Sequence, residues 1–170
     1  DPQTLEPLTP GQVGEIWLRG PGVARGYWGD PERTEATFGA RQAVEQPGDP
    51  PWLRTGDLGF LEPDGELHVS GRIKDLIVVR GRNLYPQDIE AAVEAAVPAL
   101  RPGCVVALED EEGEGIVVVA ELRAPTPAED PALVEAMQGA VMACSGATMR
   151  EAVFLRPRSL PKTSSGKRQR

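Results

Sequence analysis

The sequence predicts a mixed α+β fold in which a β-rich segment is followed by a small α+β domain. Extended runs separated by turns that contain proline and glycine dominate the first part of the chain. Further on, Ile89, Val93 and Val97 repeat at i, i+4 and i+8, which predicts an amphipathic helix. Two β-branched runs, a second helical stretch and a last short strand then alternate towards the C-terminus, as in a small α+β domain.

The β-rich part is predicted to contain three strands and one short helix. Residues 13–18 form an extended run between two glycine-containing turns, which indicates a strand. Residues 31–38 indicate a helix, because Asp30 suits the N-cap and Pro31 the first helical position. Residues 42–51 are rich in turn formers and indicate a surface loop. Residues 52–61 and 66–70 flank Pro-Asp-Gly and therefore predict a hairpin.

The second part begins with a compact apolar run at residues 76–79, which predicts a buried strand, and residues 80–83 are expected to turn the chain towards a helix starting at Pro86. Residues 104–108 and 116–122 flank an acidic turn and predict a second hairpin. Helical spacing after Asp130 predicts another helix, and residues 153–155 a final strand. The change of pattern places a domain boundary within residues 71–75.

Composition excludes several classes of function. The chain has 170 residues and a net charge of −8, which disfavours binding to nucleic acid or to an anionic membrane. It contains no signal peptide and no run of roughly 18 apolar residues, so we expect a cytoplasmic protein without a membrane span. Two cysteines and one histidine argue against a metal site or a disulfide framework. Because the chain starts without methionine, we expect it to be a piece of a longer protein.

Two stretches near the predicted boundary carry side chains suited to binding a nucleotide. Asp57 lies in a glycine-flanked turn, and an ionised carboxylate with about four acceptor positions can bind two neighbouring sugar hydroxyls. An aspartate that only bonds nearby backbone amides is the alternative. Arg72 has a planar fork that suits phosphate or ribose oxygens, and Lys74 follows where the chain could swivel. A solvated charged connector is the alternative for that stretch.

The basic C-terminal stretch places Lys167 at the end of a polar, glycine-bearing loop. It is not a P-loop, because the first glycine of that motif is missing and no serine or threonine follows the lysine. An ammonium group on such a loop can stabilise negative charge that develops at phosphorus or on a departing oxygen. A disordered basic tail is the alternative.

Four motifs in one order resemble the closing third of the adenylate-forming ligases, a superfamily of acyl-CoA synthetases, luciferases and nonribosomal adenylation domains. They are a Gly-Glu strand with Ala-Arg-Gly-Tyr-Trp, then Arg-Thr-Gly-Asp, Gly-Arg-Ile-Lys-Asp and Pro-Lys-Thr-Ser-Ser-Gly-Lys. The resemblance implies that residues 1–73 are the β-rich end of a large N-terminal nucleotide-binding domain. Residues 74–170 then form a small, mobile C-terminal α+β lid domain.

The resemblance also implies a role for each candidate residue. Asp57 and Arg72 match positions that bind the ribose of ATP, and Lys74 matches the hinge about which the small domain rotates. Lys167 matches the lysine that bridges the carboxylate substrate and the α-phosphate, and is the implied catalytic residue. The Mg²⁺ site, the phosphate-binding loop and the acyl pocket lie upstream in the family, so the chain alone is expected to be inactive. Arg168 departs from the family, which more often has an aliphatic residue there.

Within the superfamily, Arg-Gly-Arg-Asn followed by Tyr-Pro-Gln-Asp-Ile-Glu resembles the fatty acyl-AMP ligases of lipid, polyketide and peptide biosynthesis. That resemblance implies a fatty acid substrate and transfer of the acyl group to the phosphopantetheine thiol of an acyl carrier protein. Two alternatives remain open. One is an acyl-CoA synthetase that uses free CoA, and the other is a noncatalytic module that docks on a carrier protein or on a large adenylation domain.

Overall fold

The structure is a computed structural model that describes residues 1–124, 130–164 and 168. The chain divides into two compact units, Asp1–Lys74 and Asp75–Arg170.

The first unit is built on a three-stranded antiparallel sheet. Its strands β1 (Gly14–Leu18), β2 (Leu53–Leu61) and β3 (Leu67–Arg72) lie in the order β1-β2-β3, so the predicted hairpin of β2 and β3 is confirmed. Helix α1 (Pro31–Phe38) has the predicted bounds, and the Asp30 carboxylate accepts a hydrogen bond from the Arg33 N–H at 2.9 Å. A short 3₁₀ turn, Ile73–Asp75, follows β3.

Strand β2 is irregular on both of its edges around the same place. Glu15 pairs with Leu58 and Trp17 with Arg54, so three residues of β2 lie opposite Ile16 alone. Gly56, at the centre of this bulge, has φ = +71°, a conformation that glycine adopts without steric cost. The second irregularity lies between Leu58 and Gly59 on the β3 side. These distortions flank Asp57 and change the direction of the strand where its carboxylate emerges.

The second unit combines a hairpin, two helices and a mixed sheet. Strands β4 (Ile77–Val79) and β5 (Arg82–Leu84) pair antiparallel and lead into helix α2 (Pro86–Ala96). Strand β6 (Leu100–Glu109) pairs antiparallel with β7 (Ile116–Leu122), as predicted. Helix α3 (Pro131–Ser145) then connects β7 to β8 (Met149–Leu155), which lies parallel to β7 at the end of the β6-β7-β8 sheet.

The core of the second unit lies between its helices and this sheet. Its buried members come from both helices and all three strands, and include Ile89, Val93, Val105, Ile116, Val118, Met137, Val141 and Met149. Each such side chain contributes about 1.5–3 kcal/mol relative to full exposure. In the first unit, by contrast, Leu58 is the one buried large aliphatic side chain among the described residues.

The expectation that residues 80–83 turn the chain directly towards a helix is wrong. Arg80 and Gly81 have φ values of +50° and +75°, and Val79 pairs with Arg82 across them. Two consecutive positive φ angles match the right-handed twist of a tight hairpin, so the chain reverses and forms β5 before α2. The Arg82 guanidinium then donates to the Ser145 carbonyl at 3.1 Å, at the C-terminal end of α3.

Candidate functional site

Asp57 and Arg72 lie directly opposite each other on β2 and β3. The Arg72 Nε donates to the Asp57 Oδ1 at 2.6 Å. The two side chains remain 36% and 50% exposed, so a ligand in solution has access to both. Two residues from consecutive motifs, 15 positions apart in sequence, are thus brought into one ion pair at the end of the sheet.

The ion pair offers acceptors and donors side by side. A carboxylate has about four acceptor positions and a guanidinium five N–H donors. Two neighbouring hydroxyl groups, each both a donor and an acceptor, are complementary to such a surface. The arrangement of Asp57 and Arg72 therefore fits the binding of a sugar diol.

Glu15 fixes the bulge that carries Asp57. Its carboxylate accepts from the Arg54 Nε at 2.9 Å and from the Arg54 Nη2 at 2.7 Å, and its Oε1 also accepts from the Gly56 N–H at 3.2 Å. Its side chain is only 3% exposed. Burial acts to raise the pKa of Glu15, but the hydrogen bonds and charge of Arg54, together with those from Trp17 and Gly56, outweigh it and lower the pKa.

Thr55 completes the support of the bulge. Its hydroxyl donates to the Ile16 carbonyl at 2.7 Å and accepts from the Asp57 N–H at 3.0 Å. The Asp57 backbone is thus held by Thr55, and the preceding residues Arg54 and Gly56 are held by Glu15. Fixing the supporting residues in this way limits the loss of conformational freedom when a ligand binds.

The sequence did not identify Glu15 as part of the site. The sequence signal that could have indicated it is that Glu15 is the one acidic residue of the otherwise apolar strand Gly14–Leu18. A buried acid in a strand requires a partner, which here lies 39 positions away in sequence.

Of the two lysines that the sequence singled out, the structure describes Lys74. Lys74 is exposed in the 3₁₀ turn Ile73–Asp75 and is the last residue of the first unit. Lys167 lies outside the described residues.

The described residues do not fit a magnesium site. Among residues 1–124, 130–164 and 168, no three histidine, cysteine, aspartate or glutamate side chains are grouped so as to hold a metal ion. In the same part of the chain, no helix combines the length and the apolar character that crossing a membrane requires.

Several known proteins that are similar to the chain are ligases. The chain is 44% identical over 174 residues to the medium-chain-fatty-acid–[acyl-carrier-protein] ligase JamA of Moorena producens, an alignment that covers 100% of the chain and 29% of JamA. A solved fatty acyl-adenylate ligase from E. coli or L. pneumophila matches 96% of the chain with 36% identity and a TM-score of 0.77. The chain therefore matches a part of the adenylate-forming ligases, of the fatty acyl-AMP ligase type.

The likeness of the chain extends to other solved structures. The ATP-bound structure of MatB from Rhodopseudomonas palustris matches 95% of the chain with 29% identity and a TM-score of 0.68. No protein-family model matches the chain. The chain spans between 27% and 30% of the length of these three proteins and corresponds to the C-terminal part of adenylate-forming ligases. The predicted family and the α+β fold class are confirmed.

Proposed function

We propose that the full-length protein activates a fatty acid with ATP to an acyl-adenylate and transfers the acyl group to the phosphopantetheine thiol of an acyl carrier protein. The observation that carries this proposal is the Asp57–Arg72 ion pair, in which the Arg72 Nε lies 2.6 Å from the Asp57 Oδ1. Asp57 belongs to the bulge of β2 that Glu15 stabilises through Arg54 and Gly56. The names of the relatives support the reaction, since JamA is an acyl-carrier-protein ligase and the E. coli or L. pneumophila enzyme a fatty acyl-adenylate ligase.

In the first half-reaction, a carboxylate oxygen of the fatty acid attacks the α-phosphorus of ATP. A new P–O bond forms, the bond from the α-phosphorus to the bridging oxygen breaks, and pyrophosphate leaves. Asp57 accepts hydrogen bonds from the ribose hydroxyls, and Arg72 holds the ribose oxygens. The Lys167 ammonium bridges the substrate carboxylate and the α-phosphate, where it neutralises charge that develops in the transition state.

In the second half-reaction, the thiol of the carrier protein attacks the acyl carbon of the mixed anhydride. A C–S bond forms, the C–O bond to AMP breaks, and the thiol proton is lost to solvent. The small domain, residues 74–170, turns at Lys74 between the two steps and withdraws Lys167. The phosphate-binding loop and the acyl pocket come from the large N-terminal domain.

The half-reactions can be tested separately in the full-length protein with Lys167→Ala. Loss of one charge-stabilising donor costs about 10²–10³ in rate, so acyl-adenylate formation measured by pyrophosphate exchange should fall by that factor. Transfer from preformed acyl-adenylate to the carrier protein should stay close to the wild-type rate. Equal loss of both steps contradicts the role of Lys167.

The acceptor is tested by supplying phosphopantetheinylated carrier protein and free CoA in parallel. The expected product is the acylated carrier protein, detected as a mass increase on the carrier. Acyl-CoA without acylated carrier identifies an acyl-CoA synthetase instead. A full-length protein that binds the carrier but exchanges no pyrophosphate is a docking module, and the proposal then fails.

A further inference from the structure

Two buried carboxylates hold the chain on either side of the basic C-terminal loop. One, Glu121, binds the backbone that enters the loop, and the other, Glu90, binds Arg168 where the loop ends. Both carboxylates are 1% exposed, and all the atoms that make these contacts belong to the second unit. Neither glutamate has a role in the half-reactions described above.

Glu121 lies near the end of β7 and faces the segment that leaves β8. Its Oε1 accepts from the Leu160 N–H at 2.7 Å and its Oε2 from the Arg158 N–H at 3.0 Å, while Arg101 pairs with the same carboxylate at 2.9 Å. Burial acts to raise the pKa of Glu121, but these hydrogen bonds and one from Cys104 outweigh it and hold the pKa at about 2. The carboxylate is therefore ionised and fully engaged at neutral pH.

Glu90 secures the other end of the loop. Its Oε1 accepts from the Ala107 N–H of β6 at 3.1 Å, and its Oε2 pairs with the Arg168 Nη2 at 3.1 Å. The Arg168 Nη1 also donates to the Val105 carbonyl at 2.6 Å and lies 3.5 Å from Glu94. Helix α2 and strand β6 thus bind one guanidinium through three contacts, which an aliphatic side chain at position 168 could not make.

A third contact ties the loop to the same sheet. The Lys162 Nζ lies 3.2 Å from the buried Cys104 Sγ, and the Cys104 thiol donates to Glu121. The backbones of Lys162 and Arg168 also form an isolated antiparallel β-bridge, which brings the two ends of the loop together. The loop is therefore closed at its base by Arg168, Lys162 and the Glu121-bound backbone.

We propose that Glu121, Glu90 and Arg168 are positioning residues that fix the base of the loop carrying Lys167. The inference rests on the proposed function, in which Lys167 stabilises charge during adenylation. The peptide bond joins Arg168 to Lys167, so the guanidinium contacts act one residue away from the ammonium that must reach the α-phosphate. A displacement of about 1 Å in a reacting group costs on the order of 10² in rate, so the precision of these contacts matters for adenylation.

The test uses the full-length protein with Arg168→Met and, separately, Glu121→Gln. Each should lower kcat for acyl-adenylate formation by about 10- to 100-fold with little change in KM for ATP, because Asp57 and Arg72 are untouched. Transfer from preformed acyl-adenylate should remain at the wild-type rate. Arg168→Lys should recover part of the loss, since a lysine keeps the charge but not the fork.

Arg150→Met is the matched control. Arg150 also pairs with two carboxylates of the second unit, Asp110 at 3.6 Å and Glu114 at 2.6 Å, both of which lie outside the loop. This control should leave both half-reactions unchanged. Thermal melting of each variant shows whether a rate loss follows from unfolding, and Arg168→Met serves as the test if Glu121→Gln fails to fold.

A double-mutant cycle separates positioning from general damage. In the Lys167→Ala background, Arg168→Met should cause no further loss of adenylation, because the group that it positions is gone. Fully additive losses, unchanged adenylation in both single variants, or equal loss of both half-reactions overturns the inference. If Lys167→Ala leaves adenylation intact, the proposed role of the lysine fails as well, which is a distinguishable result.

Discussion

Replacing Glu121 with glutamine should reduce the loss of stability of the second unit that occurs as the pH falls from about pH 5 to pH 2. In the wild-type chain the pKa of Glu121 is lowered from 4.5 to about 2, because the ionised form accepts hydrogen bonds from Leu160, Arg158 and Arg101. A group whose folded-state pKa is depressed stabilises the fold above its unfolded-state pKa. That stabilisation is lost as the pH falls through the folded-state value.

The magnitude follows from the size of the shift. About 2.5 pKa units at about 1.36 kcal/mol each give about 3.4 kcal/mol as an upper value. Arg101 is 40% exposed, so solvent screens its part of the interaction, and the expected contribution is about 1–3 kcal/mol. The wild-type chain should lose this amount between pH 5 and pH 2, whereas Glu121→Gln should start lower at pH 7 and lose less.

Hydrogen exchange of β6, β7 and β8 amides is the suitable assay. Trp17, Trp28 and Trp52 all lie in the first unit, so tryptophan fluorescence would report on the wrong part of the chain. Glu151→Gln, at an exposed position of β8, is the control and should follow the wild type. If the opening free energies of wild type and Glu121→Gln fall in parallel with pH, the Glu121 carboxylate does not hold the segment.

Three further predictions concern the first unit and the junction. Asp57→Asn should weaken ATP binding by the full-length protein by about 1.5–3 kcal/mol in calorimetry, with an unchanged melting temperature because the Asp57–Arg72 pair is exposed. Arg54→Met should destabilise the first unit by about 3–5 kcal/mol in denaturant unfolding, because it leaves the Glu15 carboxylate buried without its partner, and adding Glu15→Gln should recover much of the loss. Lys74→Pro should slow acyl transfer but not adenylation in rapid-quench experiments, because proline fixes φ at the proposed hinge; unchanged transfer rates refute the hinge.

Elements with a strong local signal were predictable from the sequence. Helices α1, α2 and α3 each start at a proline, where the missing N–H is not needed, and each was found at that position. Strand β5 was missed because its turn depends on a positive φ at Arg80, a conformation that a non-glycine residue rarely adopts. The start of β8 at Met149, four residues before the predicted one, depends on parallel pairing with β7, which has no local sequence signal.

In the candidate site, too, residues with a local sequence signal were predicted and residues that depend on distant partners were not. Asp57 and Arg72 were singled out because their residue types and local context suit ribose, and the sheet register places them together. Glu15, Glu90 and Glu121 were missed because their partners are distant in sequence. Glu121 lies between Ala120 and Leu122, both buried, so alternation alone predicts an exposed side chain there. An acid in such a run indicates a buried ion pair only after the fold has brought its cation into place.

The anchoring of the C-terminal loop to β6, β7 and α2 has a kinetic consequence for the proposed reaction. Because Arg168 and the backbone at Arg158 and Leu160 are bound to the second unit, the proposed withdrawal of Lys167 from ATP requires rotation of the whole small domain. Lys167 would then leave the nucleotide, and the thiol of the carrier protein would reach the acyl-adenylate, in the same conformational change. A single relaxation rate, rather than two, should describe the switch between the half-reactions.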